Sequence, residues 1–354
     1  MKDDESMKDD ESMKDLLRRL VVAPGLSGVE GDVATILSHE LENQVDEIRK
    51  DKIGNLIARK GSATPTVMLA AHMDEIGFRV KYIDEKGFLR FVKVGGIDDR
   101  TLLNQRVTVY GKRKVKGVIG AKPPHLLKKE EREKPVKSSE MFIDIGAVSR
   151  EEAQQMVSVG DPVIFDRGLS DLGGNRVMGK AFDDRVGCLI LIETLKRYKG
   201  DATVYGVGTV QEEVGLKGAR TSTYGLEPDV GIAIDTAPAG DTPGIKEGEA
   251  PTQLGKGPVI TIVEAGGRGL VTSDRVLRWL RGTAEQEKIP YQLEVGEGGM
   301  TDAAVMYITR AGIPCGTISV PTRYIHGPAE VLDMEDVENT VKLLVKVLER
   351  VGEF

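Results

Sequence analysis

Strand-like apolar runs and helix-like segments alternate along most of this chain, and one long stretch breaks the alternation. Residues 14–22 (KDLLRRLVV) and 28–43 carry helical spacing, with Val29, Val33, Ile36, Leu37 and Leu41 on one face of the second segment. KIGNLIARK and PTVMLAAHMDE then read as strands. From about residue 175 the rhythm returns. DDRVGCLILIETLKRY, LKGARTSTYG and SDRVLRWLRGTAEQEK are helix-like, the last with Ser273 as its N-cap. DATVYGVGTV, DVGIAID, GPVITIV and CGTISV are strand-like between them, and MEDVENTVKLLVKVLERVG closes the series. This order predicts an α/β fold whose mixed, mostly parallel sheet is sandwiched by helices.

The stretch that breaks the pattern runs over about 77–174. GFRVKYIDEKGFLRFVKVGG and QRVTVYGKRKVKGVIGAK alternate polar and apolar residues between Gly and Asp turn signals, which predicts half-exposed antiparallel strands. The expected organisation is therefore an α/β domain in two parts, 13–76 and 175–354, with a small β-rich domain inserted over 77–174. A chain of 354 residues has room for this. Residues 1–12 are MKDDES twice over and read as a disordered tail, with the folded part beginning near Met13.

The bulk numbers exclude some functions. A net charge of −7 argues against a nucleic-acid partner, which rewards a basic face. No apolar run approaches the roughly 18–20 residues that span a bilayer. The two cysteines, Cys188 and Cys315, form no CxxC pair, and the N-terminus lacks a signal-peptide core, so a reducing cytoplasmic setting is expected.

Metal-capable side chains recur where apolar strands end. VMLAA runs into His72-Met73-Asp74, VYGVGTV into Gln211-Glu212-Glu213, and VGIAI into Asp235. TISV is followed shortly by His326, and VMGKAF by Asp183-Asp184 before a helix. Ligands of open α/β sheets bind beyond the carboxyl ends of the strands, so these segments are placed to meet in one crevice. Each alone has a plainer explanation: an Asp-Asp or Glu-Glu pair before a helix caps it and suits its positive end. Together, two histidines and several carboxylates make a donor set for zinc, cobalt or manganese. The set exceeds the three protein ligands of a lone catalytic zinc, and sharing one carboxylate between two ions would leave room for a water.

AAHMDEIGF, AFDDRVG, TVQEEVGLKGA, AIDTAPAGD and RYIHGPAE, in this order, resemble the tetrahedral (TET) aminopeptidases, a family of co-catalytic metallopeptidases. VIGAKPPHLL and GEGGMTDAAVM are similar to family segments too, and the resemblance runs from about Met13 to Val351. It implies a zinc-exopeptidase-like domain binding two divalent ions (zinc or cobalt, with manganese also accepted). Asp183 would bridge them, His72 and Asp235 would complete one, and Glu213 and His326 the other. The Asp183–Asp184 peptide would be cis. Asp74 would hold the His72 ring, and Glu212 would be the general base. The resemblance further implies short peptides as substrates and an inserted domain that mediates dimer contacts within a homododecamer. Gly299, Thr301 and Asp302 would lie near the substrate pocket, or else form a glycine turn in which Thr301 or Asp302 caps the next helix; Arg323 is a further candidate for the pocket, or else half of an ion pair. The competing functions are a carboxypeptidase or deacylase on the same metal site, and a non-catalytic shell protein stabilised by metal.

Overall fold

A computed structural model of the chain describes residues 2–129, 134–246 and 248–354. Helix α1 (Lys2–Val22) runs back through the MKDDES repeat that reads as a tail; Glu11 and Ser12 are exposed, and core packing starts at Met13. Helix α2 (Gly31–Leu41) and strands β1 (Glu47–Lys50), β2 (Leu56–Lys60) and β3 (Ala63–His72) follow.

The polar-apolar alternation then produces β4 (Gly77–Ile83), β5 (Leu89–Val94), β6 (Arg106–Tyr110), β7 (Lys114–Gly120), β8 (Phe142–Asp144), helix α3 (Arg150–Met156) and β9 (Pro162–Phe165). These six strands close into a barrel in the order β4–β5–β8–β7–β6–β9, which removes the edges that open strands expose. The barrel has its own core, where the Phe78 ring meets Phe91 and Phe165 edge-on at 5.0 and 5.3 Å between centroids. The charged stretch KPPHLLKKEEREKPVKSS lies within this region, and its residues 130–133 fall outside the described residues.

Strands β10 (Ser170–Asp171) and β11 (Arg176–Gly179) lead back to the α/β region. There the chain forms α4 (Phe182–Arg197), β12 (Ala202–Thr209), α5 (Lys217–Leu226), β13 (Val230–Pro238), β14 (Val259–Val263), α6 (Asp274–Glu287), β15 (Gln292–Val295), α7 (Ala303–Met306), β16 (Cys315–Thr322), β17 (Glu330–Asp333) and α8 (Met334–Glu349). Ser273 caps α6 as expected, its side chain accepting from the Val276 amide. Helix α8 buries Val337, Val341, Leu344 and Leu348 at helical spacing.

The main sheet has eight strands in the order β1–β2–β12–β3–β13–β16–β14–β15, and β10–β11–β17 form a small second sheet. The four central strands β12, β3, β13 and β16 are mutually parallel, while β1, β2 and β14 make antiparallel contacts on the flanks. The two faces of β3 show why the centre stays put. Val67, Leu69 and Ala71 join a core with α1, α2, α4 and α8, while Met68 and Ala70 join a second core with α5 and α7. A strand buried on both faces reads as a continuous apolar run, as VMLAA does. Parallel pairing also brings the carboxyl ends of β12, β3 and β13 side by side. No described helix is long and apolar enough to cross a membrane.

Candidate metal centre

The strand ends deliver the donors. His72 closes β3 with its side chain 2% exposed, and its Nε2 stands 2.9 Å from Asp183 Oδ1. His326 Nε2 lies 3.2 Å from Asp183 Oδ2 and 3.3 Å from Glu213 Oε2. Asp183 thus sits between two imidazoles and belongs to two groups whose ligand atoms all fall within 4.8 Å: His72, Asp183 and Asp235, and Asp183, Glu213 and His326. Glu212 belongs to neither, although its Oε2 is 3.8 Å from His72 Nε2.

Each tandem acid pair divides its labour. The Asp183–Asp184 peptide is cis, and both residues leave helical φ/ψ before α4 settles. Asp184 does what a helix cap does: its Oδ1 accepts from the Gly187 amide at 3.0 Å, and its Oδ2 accepts from the His72 amide at 3.0 Å. A Cβ on Gly187 would stand 2.2 Å from that carboxylate, so only glycine fits there. Asp183 is left to face the histidines. In the other pair, Asp74 accepts from the amides of Glu212 (2.9 Å) and Glu213 (3.2 Å) and from Ser27 Oγ (2.7 Å). Its Oδ1 also lies 3.5 Å from His72 Nδ1. The Asp74 carboxylate therefore fixes the backbone of the glutamate pair, while its backbone carbonyl stands 3.1 Å from the same ring nitrogen.

The charge balance favours cations. Burial raises the carboxyl of Asp235, and the neighbouring Asp183 raises it further. Burial likewise raises Glu212, Glu330 and Asp184 well above the usual carboxylate range, and pushes Glu213 up to about 8, Asp183 again adding to the effect. Glu213 Oε1 is buried and has no hydrogen-bond partner. Crowded acids, an orphaned carboxylate oxygen and two imidazoles make a donor set that could hold divalent cations.

The donors open into a cavity of about 610 Å³. Gly299 and Thr301 line it, and Gly299 turns with φ +76°. Two of the residues named with them stand outside its lining. Asp302 is 3% exposed and does not line the cavity; it accepts from Thr209 Oγ1 beneath the site. Arg323 does not line it either: Asp241 holds it at 2.6 and 2.8 Å, which is the ion pair offered as its other role.

Other participants went unread in the sequence. Glu330 accepts from the backbone amides of Asp183 (3.2 Å) and His326 (3.1 Å), bracing two donors at once. Glu264 accepts from Thr301 Oγ1 and Thr317 Oγ1 at 2.6 and 2.8 Å on the cavity wall. Its signal was present, since it follows the apolar run VITIV just as Asp235 follows VGIAI. Glu294 sits on the short β15, which carries no apolar run to flag it.

A mixed sheet with histidines and carboxylates gathered beyond its parallel strand ends is the build of a metal-dependent hydrolase. The family model described as M42 glutamyl aminopeptidase matches residues 54–343, and the chain belongs to this family of metallo-aminopeptidases. An aminopeptidase from the archaeon Desulfurococcus kamchatkensis superposes with a TM-score of 0.93 at 42% identity, over 96% of this chain and 95% of that one. A TET aminopeptidase from a marine sediment archaeon of the Thaumarchaeota gives 0.93 at 39%, covering 96% and 97%. The TET1 peptidase of Pyrococcus horikoshii, which can assemble into a tetrahedron or a large octahedral shell, gives 0.84 at 36%, covering 95% and 99%.

Proposed function

We propose that this chain removes residues one at a time from the N-termini of short peptides, using two divalent ions held in the paired triads. The observation that carries the reading is Asp183 shared between two donor groups, with Glu212 beside both and a member of neither. His72 and Asp235 would hold one ion with Asp183, and Glu213 and His326 the other. When bound, such ions polarise the scissile carbonyl and acidify water. Zinc, cobalt and manganese all accept these donors.

The chain's own groups do the rest. Glu212 takes the proton of the attacking water and delivers it to the departing amine, and burial raises its carboxyl, the direction that favours a base. Asp74 keeps Glu212 in reach by holding its amide. By extension from the family resemblance, the β4–β9 barrel mediates dimer contacts and the chain assembles into a homododecamer.

The test is Glu212→Gln. It is expected to lower kcat about 10²–10⁴-fold on short peptides while metal content by elemental analysis stays at the wild-type level. Chelator-stripped protein should lose activity and regain it with zinc, cobalt or manganese, and N-acetylated peptides should resist. Near wild-type turnover in Glu212→Gln, or release from acetylated peptides, overturns the reading.

A further inference from the structure

Half of the cavity carries the metal donors; the other half is built by β14, β15 and the segment 296–301. Among the described residues no lysine or arginine lines either half. Apart from the metal-site residues, the only charged groups on the wall among the described residues are Glu264 and Glu294.

Strand register locates the pair. Asp235 pairs with Ser319 on β16; Thr317, two residues back on the same face, pairs with Thr261 on β14, which pairs in turn with Glu294 on β15. With strands about 4.8 Å apart and about 6.6 Å per two residues, the Thr317 backbone lies about 8 Å from that of Asp235. Thr317 Oγ1 donates to Glu264 Oε1 at 2.8 Å. The Glu264 carboxylate therefore stands about one long side chain away from the metal donors, and Glu294 stands farther along the same wall.

Among the described residues neither acid has a cationic partner. Glu264 receives two threonine hydroxyls and the amides of Leu270 and Thr301, donors that hold its carboxylate in place. Glu294 receives one bond, from Thr261 Oγ1 at 3.1 Å. Burial raises the Glu294 carboxyl, the Thr261 hydroxyl opposes this, and the Glu264 charge adds to it. A positive group between the two would relieve that repulsion.

We propose that this acidic wall receives the cationic side chain of the substrate's N-terminal residue, so that the enzyme removes lysine and arginine ahead of leucine, and glutamate least of all. The inference rests on the aminopeptidase reading above. The substrate's α-ammonium cannot be the group received, because it is one carbon from the scissile carbonyl and must stay beside the metal donors. An acidic side chain would meet two like charges with no compensating cation. A lysine or arginine gains charge-assisted hydrogen bonds to two carboxylates, that of Glu264 being buried.

The test measures kcat/KM of the full-length, metal-loaded protein on lysyl, arginyl, leucyl and glutamyl 4-nitroanilides. Lysine and arginine should exceed leucine by about 10-fold or more, the equivalent of about one charge-assisted bond, with glutamate last. Glu294→Gln should lower the lysine-to-leucine ratio about 10-fold, and Glu294→Lys should raise the glutamate-to-lysine ratio above the wild-type value. Cleavage led by leucine or glutamate overturns this inference alone, as does a lysine preference that neither variant moves. Cleavage of none of the four, with metal shown to be bound, overturns the aminopeptidase reading with it.

Discussion

Replacing Glu75 by glutamine tests how the scaffold behind the site is held. The Glu75 side chain is 1% exposed and sits between two cations that are themselves buried, Lys180 (3%) and Arg185 (0%). Its Oε2 accepts from Lys180 Nζ at 2.6 Å, and its Oε1 accepts from Arg185 Nη2 at 3.1 Å and the Gly25 amide at 3.2 Å. Glutamine keeps the volume but removes the only carboxylate bonded to Lys180 and turns an NH₂ toward a donor. Breaking a buried ion pair from one side costs about 3–5 kcal/mol, because the remaining charge is stranded away from water. Removing Lys180 as well removes the stranded charge, while Arg185 keeps the carbonyls of Leu20 and Ala23. The double variant Glu75→Gln/Lys180→Met should therefore cost less than the sum of the singles by about 1–3 kcal/mol. The assay is urea unfolding at fixed protein concentration, followed by the emission of Trp279, the one tryptophan, which is 6% exposed. A Glu75→Gln loss below about 1 kcal/mol, or strict additivity in the double variant, would refute the reasoning.

Further predictions follow from the packing. Gly187→Ala should displace Asp184 and lower stability by about 1–3 kcal/mol, whereas Gly282→Ala, in helix α6 with open space at its Cβ, should raise it by about 0.5–1 kcal/mol; thermal unfolding of the two side by side checks the pair. Cys188 and Cys315 are buried, and burial pushes the Cys188 thiol up to about 12. Neither should react with dithionitrobenzoate in the native protein, and both should react in urea. A thiol titrating at once without denaturant would contradict that packing.

The parts of the fold that could be read in advance are those where burial writes itself into the sequence. VMLAA and VGIAI are buried on both faces and could only be central strands, so the donors that follow them could be placed at strand ends. Strands β1, β15 and β17 are four residues each and too short to show a period, which is why Glu294 escaped notice. The β-only stretch announced its strands but not the closure of six of them into a barrel, because closure depends on pairing between distant segments. Local spacing also left open which acid of each pair would do what. Asp184 became a helix cap because the backbone aims its carboxylate at the Gly187 amide, and no pattern within DDRVG states that. Arg323 could be read as a pocket residue or as half of an ion pair, and only the fold names the partner, Asp241, 82 positions away.

The position of β15 has a consequence for how such enzymes diverge. It is the outermost strand of the main sheet, and Leu293 and Val295 on it are exposed, so little of the hydrophobic core depends on it. His72 and Asp235, by contrast, sit on central strands whose neighbours are fully buried. One cavity is thus walled by residues under very different constraint. Mutations at its rim can be sampled at small thermodynamic risk, while those at its reactive end threaten folding and chemistry together.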